Sequence, residues 1–136
     1  MVRVDGLGSA HAPKISVVCD RSDTAPVWGY ILRHKGLSVL LEQTIPGAFE
    51  RWNRETPDLV VFDVDIQAHD PVELCRSFRA LSVAPILVFL PGHHETQVLD
   101  CYGAGADEVI VKPVSPPIFL AKVMAWMRRS WVMPLT

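Results

Sequence analysis

The chain has 136 residues, of which 49% are apolar and 21% are charged, and its formal net charge is −2. This length and composition predict one folded domain with a substantial core, and they exclude a disordered chain. The slight negative charge gives no electrostatic basis for direct nucleic-acid binding by the domain. No apolar run approaches the roughly 20 residues that a membrane-spanning helix needs, so we expect no membrane segment.

The cysteines and the chain termini bear on location. Three cysteines without paired motif spacing argue against a disulfide scaffold or a zinc site and suit the reducing cytoplasm. Residues 1–13 lack the apolar centre of a signal peptide and read as a flexible tail. Residues 14–131 then form the predicted domain, and residues 132–136 a short C-terminal tail.

Short apolar runs alternate along the chain with segments of helical periodicity. The predicted strands, in chain order, are Ile15–Cys19, Leu37–Leu41, Leu59–Asp63, Ile86–Leu90 and Glu108–Val111. The predicted helices are Ala25–Lys35, Gly47–Glu55, Pro71–Leu81, Glu95–Gly103 and about Pro117–Trp131. Continuous apolar runs of this length are typical of strands that are buried on both faces. Strict alternation of strand and helix predicts an α/β fold, a flavodoxin-like (βα)5 three-layer sandwich with a five-stranded parallel sheet.

Three charged side chains lie at the ends of predicted strands. Asp20 follows the first strand, Asp63 ends the third, and Lys112 follows the fifth. Ligands of open α/β sheets bind beyond the carboxyl ends of the strands, so one site could collect all three residues. Two carboxylates and an ammonium suit a divalent cation and a phosphoryl group. An isolated strand-end aspartate more often caps the next helix, but the three residues together favour a site.

Several segments of the chain carry a family resemblance. They are Lys14–Asp20, Pro57–Asp63, Pro85–Phe89, Gly103–Glu108 and Lys112–Pro113. In this order and spacing they resemble the receiver domain of two-component response regulators, over roughly residues 14–129. The resemblance implies a phosphoacceptor signalling domain of the CheY-like type, and not a conventional enzyme.

The resemblance also implies a role for individual residues. Asp63 matches the aspartate that accepts a phosphoryl group from a histidine kinase or a phosphotransfer protein. Asp20 matches a ligand of the Mg²⁺ cofactor, and Lys112 matches the lysine that pairs with phosphoryl oxygens. Asp65 matches a position whose backbone carbonyl contacts the metal, and its side chain adds a carboxylate nearby, although a solvent-facing loop residue is an equal alternative. This chemistry is plausible in itself, because a carboxylate can attack phosphorus while a metal and a lysine offset the charge.

Three positions depart from the family pattern. Cys19 replaces the first of two adjacent acids, so we expect weaker binding of Mg²⁺. Leu90 replaces a small hydroxyl residue, and Val109 replaces an aromatic residue. The usual movement of hydroxyl and ring toward a phosphoryl group therefore cannot operate here. These departures keep an alternative function open, a pseudo-receiver that acts as a phosphorylation-independent interaction module.

The last predicted helix carries a candidate interface. Trp126 shares a face with Lys122 and Arg129, and Trp131 follows one turn later. A tryptophan on a charged face more often meets a partner than lies there by accident. The resemblance implies a homodimer through the fourth helix, fifth strand and fifth helix. Alternatively, these residues face an output domain that is not in this chain.

Overall fold

The computed structural model describes residues 12–92 and 94–130. The strands are β1 (Lys14–Cys19), β2 (Ser38–Glu42), β3 (Leu59–Asp63), β4 (Ile86–Leu90) and β5 (Glu108–Val111). The helices are α1 (Ala25–His34), α2 (Ile45–Trp52), α3 (Pro71–Arg79), α4 (Glu95–Gly103) and α5 (Pro116–Ser130). Most of the predicted N-terminal tail, Trp131 and the predicted C-terminal tail lie outside the described residues.

All five strands form one parallel sheet in the order β2-β1-β3-β4-β5, which confirms the predicted flavodoxin-like (βα)5 fold. Successive side chains of a strand point to opposite faces, so each strand contributes to two apolar layers. Val61 belongs to the layer that includes residues of α1 and α5, whereas Phe62 belongs to the layer that includes residues of α2 and α3. Burial on both faces explains the uninterrupted apolar sequence of β3 and β4.

Helix α2 differs most from its predicted limits, because it begins at Ile45 and ends at Trp52. Thr44 is the N-cap, and its hydroxyl accepts a hydrogen bond of 3.1 Å from the backbone N–H of Gly47. The predicted start at Gly47 was therefore wrong, since the threonine and the proline after Ile45 begin the helix earlier. Strand β2 is displaced by one residue from its prediction and includes Glu42.

The strand order defines where a site can form. Strand β1 is paired with β2 on one side and with β3 on the other, and Cys19 lies opposite Asp63 in the β1–β3 register. Strand β2 lies on one side of β1, whereas β3, β4 and β5 follow one another on the other side. This switch in strand order opens a crevice between the carboxyl ends of β1 and β3. The loop after β1 and the end of β3 meet in this crevice. Within the described ranges, no helix is long and apolar enough to cross a membrane.

Candidate functional site

Asp63 and Lys112 form an ion pair at the carboxyl edge of the sheet. The Asp63 side chain is 1% exposed, and its Oδ1 lies 2.5 Å from Nζ of Lys112, which is 24% exposed. Among the described residues, this ion pair is the contact that Oδ1 makes with a polar group. The backbone N–H of Lys112 donates to the carbonyl of Leu90, and the Lys112–Pro113 peptide bond is cis. A carboxylate this deeply buried needs the ammonium to offset its desolvation.

Trp28 is the second partner of Asp63, and the sequence analysis did not identify it. Its Nε1–H donates a hydrogen bond of 2.8 Å to Oδ2 of Asp63. Trp28 lies on the buried face of α1, one turn after Ala25 and one turn before Leu32. Apolar spacing assigns such a residue to the core, yet a buried indole N–H also needs an acceptor. The need of a buried indole N–H for an acceptor, in a helix that closely follows β1, was the feature of the sequence that could have indicated this contact.

Cys19 is buried beside the same carboxylate oxygen. Its Sγ lies 3.8 Å from Oδ2 of Asp63 and 3.5 Å from the hydroxyl of Thr24. Burial has the largest effect on the Cys19 thiol and raises its pKa; the hydrogen bonds to Thr24 and Arg21 oppose it, and the negative charge of Asp63 adds a smaller increase. The thiol is therefore neutral near physiological pH, and it adds no negative charge to the site.

Asp20 directly follows β1, and Asp65 lies two residues after Asp63, on the loop that follows β3. The two carboxylate oxygens of Asp20 lie 3.2 and 3.3 Å from the backbone nitrogen of Asp65, which donates to them. Nε2 of His69 lies 3.6 Å from Oδ2 of Asp20. The Asp65 carboxylate accepts a 2.9 Å hydrogen bond from the backbone N–H of Gln67, within its own loop. The Asp20 carboxylate thus ties the two loops together.

The oxygen atoms of this site are of the kinds that bind Mg²⁺, but the carboxylates do not converge on one point. Mg²⁺ prefers carboxylate, carbonyl and water oxygens, and Asp20, Asp63 and Asp65 supply the first two kinds. Among the described residues, no three His, Cys, Asp or Glu side chains converge as a metal site. An ion here would need water molecules and backbone carbonyls for much of its coordination shell.

A cleft of about 420 Å³ opens beside the ion pair. Its lining includes Arg21, Thr24, Trp28, Asp63, Pro91 and Lys112. Two of these residues are cationic, so the cleft suits an anionic group that approaches the buried carboxylate.

Leu90 and Val109 offer this site no polar atom from their side chains. Leu90 is fully buried, and Val109 packs partly buried against the same apolar cluster. The backbone N–H of Val109 donates 3.0 Å to the hydroxyl of Tyr102. Tyr102 thereby satisfies a donor on β5, the last strand in the sheet order.

Trp126 is held within the domain on the surface of β5 and α5. Its Nε1–H donates 2.7 Å to Oε1 of Glu108, whose Oε2 lies 2.5 Å from Nζ of Lys122. The guanidinium carbon of Arg129 lies 4.4 Å from the Trp126 ring centroid. The tryptophan therefore joins a local charged cluster, while its neighbour in the predicted interface, Trp131, lies outside the described residues.

We expect the Glu108 cluster to make stability sensitive to acid. Burial raises the pKa of Glu108, but the hydrogen bonds and charge of Lys122 and the hydrogen bond of Trp126 outweigh it, so the pKa falls below its ordinary value of 4.5. A carboxylate with a lowered pKa stabilises the fold above its unfolded-state pKa, and this contribution disappears as the pH falls through the folded-state pKa. Thermal unfolding followed by circular dichroism should show a shallower loss of stability below pH 4.5 in Glu108→Gln than in the wild type. Glu73→Gln, at a side chain that is 61% exposed, is the control and should keep the wild-type slope.

Comparison with known proteins agrees with this architecture. The family model described as "Response regulator receiver domain" matches residues 15–124. The alkaline phosphatase synthesis transcriptional regulatory protein PhoP of Bacillus subtilis is 32% identical over 118 residues, which cover 86% of this chain and 49% of PhoP. A two-component response regulator from Clostridium difficile superposes with a TM-score of 0.80 at 25% identity, covering 86% of this chain and 97% of that structure. The BeF3-activated N-terminal receiver domain of Klebsiella pneumoniae RstA has a TM-score of 0.77 at 27% identity, covering 85% and 98%.

The structure is a doubly wound α/β domain with an ion pair at the carboxyl ends of its strands, and the comparisons identify the family to which this domain belongs. The chain belongs to the response regulator receiver domain family of two-component signalling. It spans about half the length of the curated relatives it matches.

Proposed function

We propose that this receiver domain accepts a phosphoryl group on Asp63 from a histidine kinase or a phosphotransfer protein, with the assistance of Mg²⁺. The observation that carries the proposal is the buried Asp63 carboxylate, paired with Lys112 beside a cleft with cationic side chains. A buried ion pair adds little to the stability of a hydrophobic core. Phosphoryl transfer, in contrast, needs both a nucleophile and a fixed positive charge.

The proposed reaction forms one bond and breaks one bond at phosphorus. A carboxylate oxygen of Asp63 forms the new bond, while the bond from phosphorus to the donor nitrogen or oxygen breaks and its electron pair leaves with the donor. The product is an acyl phosphate. Lys112 stands next to Oδ1 of the nucleophile, where its charge can offset that of the phosphoryl oxygens. Arg21 adds a second cation to the lining of the cleft.

Asp20 and Asp63 would hold the Mg²⁺ ion, with Asp65 contributing its backbone carbonyl or its side chain. When bound, the ion supplies positive charge that neutralises the transferred group. Cys19 offers a neutral thiol where the family has an acid, which supports a weak site. We expect Cys19→Asp to bind Mg²⁺ more tightly than the wild type in a calorimetric titration.

The proposal is tested by intact mass after incubation with acetyl phosphate and Mg²⁺. We expect one added phosphoryl group in the wild type and none in Asp63→Asn, because the amide is not a nucleophile toward phosphorus. Omission of Mg²⁺ should lower the yield. An unmodified wild type, or labelling that persists in Asp63→Asn, would overturn the proposal.

Several partners follow from this proposal. The matched segment makes up about half of each curated relative, and PhoP is named as a transcriptional regulatory protein, which supports an output domain outside this chain. We propose a homodimer through α4, β5 and α5, where Tyr102 and Ile118 are exposed and Ile118 lines a surface pocket together with Trp126. All of the cysteines in the described residues are free thiols, which supports a cytoplasmic location.

The pseudo-receiver alternative is less well supported. Leu90 and Val109 favour it, because neither side chain can respond to a phosphoryl group. The intact pair of Asp63 and Lys112 argues against it, since an interaction module would gain nothing from a buried charge. The same mass experiment separates the two functions.

A further inference from the structure

Trp28 connects the phosphoacceptor to two helices through an aromatic cluster. Its side chain is 7% exposed, and its Nε1–H donates to Oδ2 of Asp63 at 2.8 Å. The indole stacks on Phe89 of β4 with 5.2 Å between centroids. It also lies 4.5 Å from the ring of Phe119, in the first turn of α5. A single side chain therefore contacts the reacting carboxylate, its own helix α1, the strand β4 and the helix α5.

The state of Asp63 changes what this indole can bind. The free carboxylate is a charged acceptor, and hydrogen bonds to charged acceptors are about twice as strong as neutral ones. When either oxygen carries a phosphoryl group, the carboxyl loses its charge, and Oδ2 becomes either the bridging oxygen of the acyl phosphate or its neutral carbonyl oxygen. The Trp28 hydrogen bond then weakens or transfers to a phosphoryl oxygen. A conformational change requires such a difference in contacts between two states.

The packing around Trp28 can carry a change in its hydrogen bond to residues outside the site. Protein cores are packed as densely as organic crystals, so a buried ring does not move without its neighbours. Phe89 and Phe119 also contact each other, with centroids 5.5 Å apart, and Nζ of Lys112 lies 5.3 Å from the Phe89 centroid. A displacement of the indole is thus shared with the first turn of α5.

We propose that Trp28 senses the state of Asp63 and transmits it to α1 and α5, through its hydrogen bond and its contacts with Phe89 and Phe119. This inference rests on the proposed function, since it requires Asp63 to become occupied. It gives the domain a route of response that does not use residues 90 and 109, where Leu90 and Val109 have no polar group to exchange.

The test uses beryllofluoride with Mg²⁺ as a mimic of the phosphoryl group. Fluorine NMR shows whether the complex binds, while tryptophan emission and amide spectra show the response. We expect the wild type to change its emission and to shift amide signals in α1 and the first turn of α5. Trp28→Phe should bind the mimic but lose most of the emission change and most of the shifts in both helices.

Trp52→Phe is the matched control. Trp52 is 6% exposed, and its Nε1–H donates 3.0 Å to the hydroxyl of Ser16, in the core layer on the opposite face of the sheet. This variant also loses an indole hydrogen bond, here to a neutral hydroxyl, and the same aromatic volume, but away from Asp63. It should keep the wild-type response to beryllofluoride.

Phe119→Leu provides a second variant that does not touch Asp63. It keeps the Trp28 hydrogen bond but removes the ring contact, so the emission change should persist while the shifts in α5 disappear. The inference is overturned if Trp28→Phe binds the mimic and keeps the full amide response, or if Trp52→Phe loses it equally. A wild type that does not bind beryllofluoride at all would instead refute the proposed function, and the inference with it.

Discussion

Lys112→Met should destabilise the domain by about 3 kcal/mol, because it leaves a buried carboxylate without its counter-ion. Asp63 is 1% exposed, and after the substitution the Trp28 N–H would be its only strong donor among the contacts described above. A hydrogen bond from a neutral indole does not replace the full positive charge of the Lys112 ammonium, whose Nζ lies 2.5 Å from Oδ1 of Asp63.

Asp63→Asn should behave differently, although it breaks the same ion pair. The amide carries no charge to desolvate, and Lys112, at 24% exposed, can turn toward the cleft and water. We expect its stability to stay within about 1 kcal/mol of the wild type. In the double variant Asp63→Asn/Lys112→Met, the large cost of the lysine substitution should disappear, because the charge that needed it is gone.

Urea unfolding of the four proteins at neutral pH measures this cycle. The expected result is a strong coupling between the two positions, with the lysine substitution costly only when Asp63 is present. Equal costs of Lys112→Met in both backgrounds would show that the ion pair does not hold the carboxylate. A large loss of unfolding free energy in Asp63→Asn would show that Lys112, and not Asp63, is the charge that depends on its partner.

The strand-end rule explains why part of this site was predictable from the sequence. Asp63 ends a strand, and Lys112 follows another, and strands of a parallel sheet end at one edge. The apolar runs of β3 and β4 are short but uninterrupted, and the limits of β3, β4 and β5 match their predicted ranges. Burial on both faces produces that pattern, and it needs no knowledge of side-chain contacts.

The contacts within the site were less predictable, for a physical reason. The partner of a side chain depends on the rotation of its helix and on its rotamer, and neither is set by apolar spacing alone. Trp28 has core spacing in α1, and only the packed structure brings its N–H to Asp63. For Asp65, the sequence left a metal-site carboxylate and a solvent-facing loop residue as equal alternatives. In the structure its carboxylate accepts a hydrogen bond from the backbone N–H of Gln67, in its own loop. The start of α2 was missed although Thr44 caps the helix and the apolar spacing of Ile45, Ala48 and Phe49 begins at its first residue.

The second large effect is expected at the opposite edge of the sheet, where the Arg79 side chain joins two loops. Its guanidinium donates to the carbonyls of Ser82 at 3.0 Å, Ala84 at 2.7 Å and Gly105 at 2.7 Å, and to Oδ2 of Asp107 at 2.7 Å. Gly105 has φ of 118°, and a Cβ there would lie 3.0 Å from Cγ of Arg79. The glycine therefore lets the arginine lie against the backbone between α4 and β5.

Arg79→Met should cost about 3 kcal/mol of unfolding free energy, because it keeps the apolar stem but leaves three carbonyls and a half-buried carboxylate without this donor. Arg76→Met is the control on the same helix. Its ion pair with Glu73 is about 60% exposed on both sides, and exposed pairs of this kind contribute roughly 0.5 kcal/mol or less. Urea unfolding should separate the two variants clearly. Because Arg79 lies at the edge away from Asp63, the folded fraction of Arg79→Met should still accept a phosphoryl group, and similar stabilities of the two variants would refute this role of Arg79.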